Sequence, residues 1–155
     1  MLRLTKKADY GLIAVKHLAE SAHGHAYSAK DIAEAYHIPA ELLAKILQKL
    51  AKAGLLTSQH GTNGGYVLAR DPHTISAFEV IKAIDGPLFI TACISTHKAC
   101  GQSSTCNVKE PLRKVNDSIR EVLSNIKIAD MREEVNPVSE EVSPERIKEL
   151  VRLSV

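Results

Sequence analysis

Apolar positions at helical spacing predict three helices in the first third of the chain. Apolar side chains recur every three or four positions over 8–22. A shorter helix is predicted from the N-cap residue Ser28 to Tyr36, and a third from about Pro39 to Ala53, where Gly54 ends it. The third helix is apolar along one side and polar along the other, so we expect one face to pack in the core and the other to stay free.

A short β-hairpin is predicted next. Two β-type runs, 55–59 and 66–69, flank a tip at 60–65 that is rich in Gly and Asn. Three helices followed by a two-stranded hairpin describe a winged helix-turn-helix, which we assign to residues 1–72. The predicted fold class is therefore mainly α with a small β-hairpin wing, joined to a further long helix.

The rest of the chain is predicted to hold a connecting segment, a long helix and a tail. Residues 73–107 contain a helix over about 76–84 and then a loop with three cysteines. Over 108–130 the apolar positions advance in alternating steps of four and three, which is typical of a heptad seam. Residues 131–155 are acidic at first, with Pro137, and then predict a short helix from Ser143.

Length, charge and missing motifs narrow the function. The chain has 155 residues and no apolar run long enough to cross a bilayer, and its start lacks the apolar stretch of a signal peptide. We therefore expect a cytoplasmic protein without a membrane partner. Residues 1–72 carry nine Lys or Arg against six Asp or Glu, which suits a domain that approaches phosphates. Without a phosphate-binding loop, dinucleotide motif or nucleophile triad, we expect no enzyme and no small-molecule substrate.

The polar face of the third helix is a candidate for contact with double-stranded DNA. In a helix-turn-helix the helix after the turn reads base edges in the major groove, while cations contact phosphates. Glu41 can accept from cytosine, Gln48 can bond adenine, and Lys52 suits a phosphate. The residues expected at DNA are Ala40, Glu41, Ala44, Lys45, Gln48 and Lys49 of this helix, His60, Thr62, Asn63 and Gly64 of the hairpin tip, and the flanking Arg3, Lys6, Lys7 and Lys30. The alternative is a face that is only solvated.

The three cysteines are candidates for metal ligands. Cys93, Cys100 and Cys106 are the only cysteines of the chain, spaced C-x6-C-x5-C with mostly polar residues between them. Structural zinc usually takes tighter C-x2–4-C pairs, so the wide gaps favour an iron–sulfur cluster. A fourth ligand could be His97 in the loop, a group from the first helix of a partner subunit (Asp9 or His17), or solvent. The alternative is a set of free thiols or a disulfide redox switch.

Several segments together resemble one known family. The N-terminal helix, the third helix, the glycine-rich hairpin, the following helix and the cysteine loop resemble the winged-helix iron–sulfur transcriptional regulators of bacteria (the IscR/NsrR-type family). The matching segments are 1–19, 40–56, 61–72, 76–87 and 93–106, and the resemblance extends over about 1–130.

The resemblance implies a cluster-controlled, DNA-binding homodimer, expected to be a repressor. It implies that the 108–130 helix joins two copies and that the three cysteines bind a [2Fe–2S] or [4Fe–4S] cluster that responds to iron–sulfur status, nitric oxide or redox state. One branch of the family takes its fourth ligand three residues after the last cysteine, where this chain has Lys109. Another takes an aspartate near the start of the first helix of the other subunit, which matches Asp9. The first cysteine gap exceeds the usual five residues by one, so the cluster type stays open.

Overall fold

A computed structural model of the chain describes residues 3–21, 24–94, 100–102 and 104–131. In these ranges five α-helices surround one two-stranded antiparallel sheet. The helices are α1 (Lys6–Glu20), α2 (Ala29–Tyr36), α3 (Ala40–Lys52), α4 (Ala77–Asp85) and α5 (Lys109–Asn125), the strands are β1 (Leu56–Gln59) and β2 (Gly65–Leu68), and a 3-10 turn (Ile128–Met131) follows α5. The predicted fold class is confirmed. The predicted tail helix lies outside the described residues.

Side-chain caps fix where three of the helices begin. The hydroxyl of Thr5 accepts a hydrogen bond from the first turn of α1. Ser28 and Ser76 form capping boxes with Asp31 and Glu79 at the starts of α2 and α4. These caps satisfy backbone N–H groups that have no partner inside a helix. The hydrogen bonds that Ser28 donates also hold the pKa of Asp31 below its usual value. The predicted N-cap at Ser28 is therefore confirmed.

One hydrophobic core joins α1, α2, α3, the hairpin and α4. Its largest fully buried apolar side chains are Val15, Ile32, Leu43, Leu47, Leu50, Ile75, Val80 and Ile128. Helix α4 thus packs in the core of the winged domain itself. Gly11 lets α1 approach α4 closely, because a methyl group on Gly11 would overlap the end of the Ile84 side chain. Such an overlap in a packed core is destabilising.

The hairpin is short and is held against the start of α2. Leu56 pairs with Leu68 and Gln59 with Gly65, which leaves residues 60–64 as the tip. Tyr27 and Tyr66 form an antiparallel bridge through two backbone hydrogen bonds, of 3.2 Å and 2.8 Å. Gly65 lies against this bridge, where any Cβ would overlap the backbone of Tyr27. The glycine is thus required for the close contact between the wing and the helical part of the domain.

The long helix is shorter than the sequence pattern predicts. We predicted a helix over 108–130, but α5 ends at Asn125 and Ile126 is extended. The reason is a pairing with the segment before α4: Ala77 donates its N–H to the carbonyl of Ile126, and Ile128 donates its N–H to the carbonyl of Ile75. Ile128 is 1% exposed and belongs to the core. The end of the predicted helix therefore returns to the winged domain.

A histidine of α1 is enclosed by two tyrosines. The ring of His17 meets Tyr27 edge-on at 4.7 Å between centroids and Tyr36 at 5.5 Å. Its Nδ1 lies 3.1 Å from the hydroxyl of Tyr36, and its Nε2 is buried without a partner among the described residues. Loss of hydration lowers the pKa of His17, and the nearby carboxylate of Glu20 opposes this only in part.

This histidine should make stability depend on pH. Because the folded-state pKa lies below the usual 6.5, the unfolded chain binds the proton more readily. The contribution of His17 is therefore complete above about pH 6.5 and is lost as the pH falls below that value. We expect His17→Phe to flatten the decline in the free energy of unfolding between pH 7.5 and 5.5, measured by urea denaturation. His60→Phe, a change at an exposed position, is the control. An equal decline in both variants would contradict this assignment.

Candidate DNA-binding face and cysteine loop

Helix α3 presents a continuous polar face to solvent. Its buried residues are Leu43, Ile46, Leu47 and Leu50, all on the side that meets the core. On the other side Glu41, Lys45 and Gln48 are exposed, and Ala44 is half-buried between them. Ala40 is exposed at the first turn, where a recognition helix meets base edges. The candidate residues of α3 thus lie together on one accessible face, with Lys52 exposed in its last turn.

Lys49 differs from the other lysines of α3. Its Nζ donates a hydrogen bond to the carbonyl oxygen of Ile84 at 3.1 Å. That carbonyl belongs to the last turn of α4, where carbonyl groups have no partner inside the helix. Lys49 was expected at DNA, but the ammonium group already has a partner within the protein. We therefore assign it a structural role and retain Lys45 and Lys52 as candidate phosphate contacts.

The wing tip carries exposed donors on a tight turn. His60, Thr62 and Asn63 are exposed, and the N–H of Gly64 closes the turn on the carbonyl of Gly61 at 3.0 Å. Gly61 has φ of 121°, a conformation that a side chain would oppose. A Cβ on Gly64 would lie 2.6 Å from the carbonyl oxygen of Gln59. Internal packing thus accounts for Gly64, which was expected at DNA.

The flanking cations are accessible. Arg3, Lys6 and Lys7 are exposed at the N-terminal arm and the first turn of α1. Lys30 is exposed in α2 and lies 3.8 Å from Glu34, one turn along the helix. A pair this exposed contributes little to stability and leaves the ammonium group free to exchange partners.

The cysteine loop follows directly from the winged domain. All three cysteines are free thiols: Cys93 and Cys106 are half-buried and Cys100 is exposed. The Sγ of Cys93 lies 3.3 Å from the hydroxyl of Thr91. Three thiols in one accessible loop match the donor set of a thiolate-bound cluster. No three His, Cys, Asp or Glu residues come together as a metal site within the described ranges. His97 lies outside those ranges.

The candidates for a fourth ligand differ in access. Asp9 is exposed in the first turn of α1, where a carboxylate can meet a second protein chain. His17 is not available in this way, because its Nδ1 contacts Tyr36 and its Nε2 is buried. The sequence placed His17 and Asp9 on the same helix but gave no sign that tyrosines enclose the histidine. Lys109 begins α5, and an ammonium group has no lone pair for iron.

The apolar seam of α5 is exposed. Val108, Val115 and Val122 are 52%, 48% and 59% exposed, and Ile126 is 38% exposed. They share the seam with the half-buried Leu112 and Ile119. Valines exposed at heptad spacing are typical of a helix that packs against another helix. Helix α5 also contacts α4, where the guanidinium of Arg120 lies 5.5 Å from the ring centre of Phe78.

A family comparison identifies this arrangement. Residues 4–134 match the sequence model of the Rrf2 family, described as iron-dependent transcriptional regulators. The chain belongs to the Rrf2 family. It is a winged-helix transcriptional regulator and not an enzyme, and the predicted resemblance is confirmed. Within the described residues no helix is long and apolar enough to span a membrane.

Solved structures of Rrf2 regulators share the fold. IscR of T. potens has 33% sequence identity and a TM-score of 0.66, with 84% of this chain and 85% of that chain covered. CymR, the global cysteine regulator of B. subtilis, has 29% identity and a TM-score of 0.69, with 84% and 95% covered. An oxidized form of Staphylococcus aureus CymR has 26% identity and a TM-score of 0.68, with 87% and 99% covered. The chain is thus similar both to IscR and to a regulator described in an oxidized form.

Proposed function

We propose that the protein is a homodimeric transcriptional regulator whose DNA affinity depends on an iron–sulfur cluster held by Cys93, Cys100 and Cys106. The observation that carries this proposal is the position of three free thiols, the only cysteines of the chain. They lie in the loop between α4, which packs in the winged domain, and α5, which exposes an apolar seam. A group bound in that loop adjoins both the DNA-binding domain and the proposed dimer helix.

The DNA-binding part of the proposal rests on α3. Its exposed face, with Glu41, Lys45 and Gln48, enters the major groove, and the wing tip with Thr62 and Asn63 lies over the adjacent backbone. Two copies joined through α5 present two such helices to two half-sites. The separation of half-sites is set by the DNA helix, so a small change in the spacing of the two α3 helices lowers affinity.

The cysteine loop supplies the sensing part. Thiolates at Cys93, Cys100 and Cys106 hold the [2Fe–2S] or [4Fe–4S] cluster, and Asp9 of the partner subunit completes the ligand set from its exposed position in α1. When bound, the cluster supplies a group that oxidants, nitric oxide or loss of iron alter. A ligand from the other subunit ties the two winged domains together, so a change at the loop changes their spacing.

Anaerobic purification tests this proposal. We expect a coloured protein with visible absorbance and a native mass of two chains plus iron and sulfide. The triple variant Cys93→Ser, Cys100→Ser, Cys106→Ser should be colourless and still dimeric. Asp9→Ala should retain iron but change the absorbance and shorten the cluster's lifetime in air. A wild-type protein that binds no iron after anaerobic reconstitution with ferrous iron and sulfide would refute the cluster.

A second candidate is a metal-free thiol switch. The similarity to the oxidized form of CymR favours it, as does the accessibility of Cys100. Two thiols would lose two protons and two electrons to an oxidant such as a peroxide and form one disulfide, leaving the third thiol free. Peptide mapping after peroxide treatment would find that disulfide, and reduction would restore the original DNA affinity. Absence of a disulfide together with a bound cluster would exclude this candidate.

A further inference from the structure

The segment Ile84–Ile90, which leads from α4 to the cysteine loop, is held by side chains from three different helices. Lys49 of α3 donates to the carbonyl of Ile84 at 3.1 Å. Thr5, the N-cap of α1, donates to the carboxylate of Asp85, with distances of 2.8 Å and 3.0 Å to its two oxygens. Asn116 of α5 accepts the N–H of Ile90 at 3.1 Å. We call this segment the junction.

The contact to α3 reaches the proposed recognition helix itself. Lys49 lies one residue after Gln48, so its hydrogen bond to Ile84 connects the DNA-facing helix to the start of the junction. The same Ile84 is 5% exposed and packs against Gly11 of α1. A displacement of the end of α4 is therefore felt by α3 through one polar contact and by α1 through close packing.

The contact to α5 is the unusual one. Asn116 is 1% exposed and is the only buried residue of α5. A buried amide is costly unless it is hydrogen-bonded, and the Oδ1 of Asn116 is bonded to a backbone group three residues before Cys93. Exposed apolar residues of the same region, Phe89 and Val115, flank this contact in sequence. The amide therefore fixes the entry of the cysteine loop on α5.

We propose that the junction transmits the state of the cysteine loop to α3, with Lys49 and Asn116 as its positioning residues. The proposal rests on the proposed function in one respect, namely that the cysteine loop is the sensor. Asn116 holds the loop side to α5, and Lys49 holds the other end to α3. A change in the loop that moves Ile90 is thereby passed along seven residues to the helix that reads DNA. Neither residue is required to touch DNA or the cysteines.

The experiment compares DNA affinity in two states of the loop. A duplex is first selected by the wild-type protein from a random-sequence pool. Its affinity is then measured for protein incubated anaerobically with ferrous iron and sulfide, and for protein alkylated with N-ethylmaleimide, which blocks all three thiols. We expect the wild-type affinities to differ by about five-fold or more, the usual lower range of coupling between sites. In Lys49→Met and Asn116→Leu the ratio should fall below about two-fold, while Lys49→Arg keeps it near the wild-type value.

Salt dependence separates positioning from phosphate contact. Removing a phosphate-binding lysine lowers the slope of log affinity against log salt by about 0.9. We expect that loss for the exposed Lys52→Met, with its state ratio intact, and no such loss for Lys49→Met. If Asn116→Leu fails to fold, as judged by circular dichroism, the lysine variants alone decide.

The outcomes are distinct. An unchanged ratio in Lys49→Met, or equal losses of affinity in both states with a lower salt slope, would overturn the proposal and return Lys49 to the DNA contacts. If the wild-type protein binds DNA equally in both states, the sensing function itself fails, and the relay fails with it. A responsive wild-type protein with equally responsive variants refutes only the junction.

Discussion

Glutamate at both Val115 and Val122 should convert the protein to monomers and lower its affinity for operator DNA by about 100-fold or more. These side chains are 48% and 59% exposed on the seam of α5, so the isolated chain can accept the change. In a dimer, however, each glutamate would be buried without a partner, which is strongly unfavourable. A monomer binds only one half-site and loses the gain from linked binding, which is about 10²–10⁴-fold.

Native mass measurement and fluorescence anisotropy with a selected duplex test this result together. Arg113→Glu is the matched control, since it places the same residue on α5 away from the seam. The control should remain dimeric and lose DNA affinity by less than about ten-fold, as expected for a change of surface charge. A double variant that stays dimeric would show that copies associate through another surface.

Ile128→Ala should lower the free energy of unfolding by about 2–4 kcal/mol, the range for removing a large apolar side chain from a packed core. Ile128 is 1% exposed and lies in the core, although it follows the end of α5 by three residues. Its N–H also bonds the carbonyl of Ile75 at 2.9 Å, so the turn is fixed at two levels. The alanine would leave a cavity between the turn and the winged domain.

Urea denaturation measures this loss as a lower midpoint at constant slope. Leu4→Ala, at a position that is 40% exposed, is the control and should change stability by less than about 0.5 kcal/mol. A loss below about 1 kcal/mol for Ile128→Ala would mean that the turn does not anchor α5 to the winged domain.

Local signals in the sequence were sufficient for most of the fold. The caps at Ser28 and Ser76, the glycine at the end of α3 and the Gly- and Asn-rich tip each act within a few residues, so they could be read directly. The end of α5 could not, because Ile126 continues the heptad spacing while its carbonyl is taken by Ala77, about fifty positions earlier. Pairing between distant segments leaves no periodic signal.

The candidate site was predicted in part for the same reason. The polar face of α3 follows from helical periodicity, and the structure leaves Glu41, Lys45 and Gln48 exposed as that pattern predicts. Lys49 belongs to the same periodic set but bonds a carbonyl of α4, and Asn116 resembles any polar residue beside a heptad seam until its burial is known. Both depend on tertiary contacts that a single sequence does not display.

The central claim is that a cluster held by the three cysteines controls DNA affinity, and one paired titration tests it most directly. A single anaerobic preparation is divided, and one half is stripped of iron with a chelator under reducing conditions. Both halves are titrated against duplexes selected separately with each form, beside the triple cysteine-to-serine variant. We predict that the two halves differ in affinity by about five-fold or more, and that the variant matches the stripped half before and after treatment with iron and sulfide. Equal affinities of the loaded and stripped halves on every duplex would contradict the account.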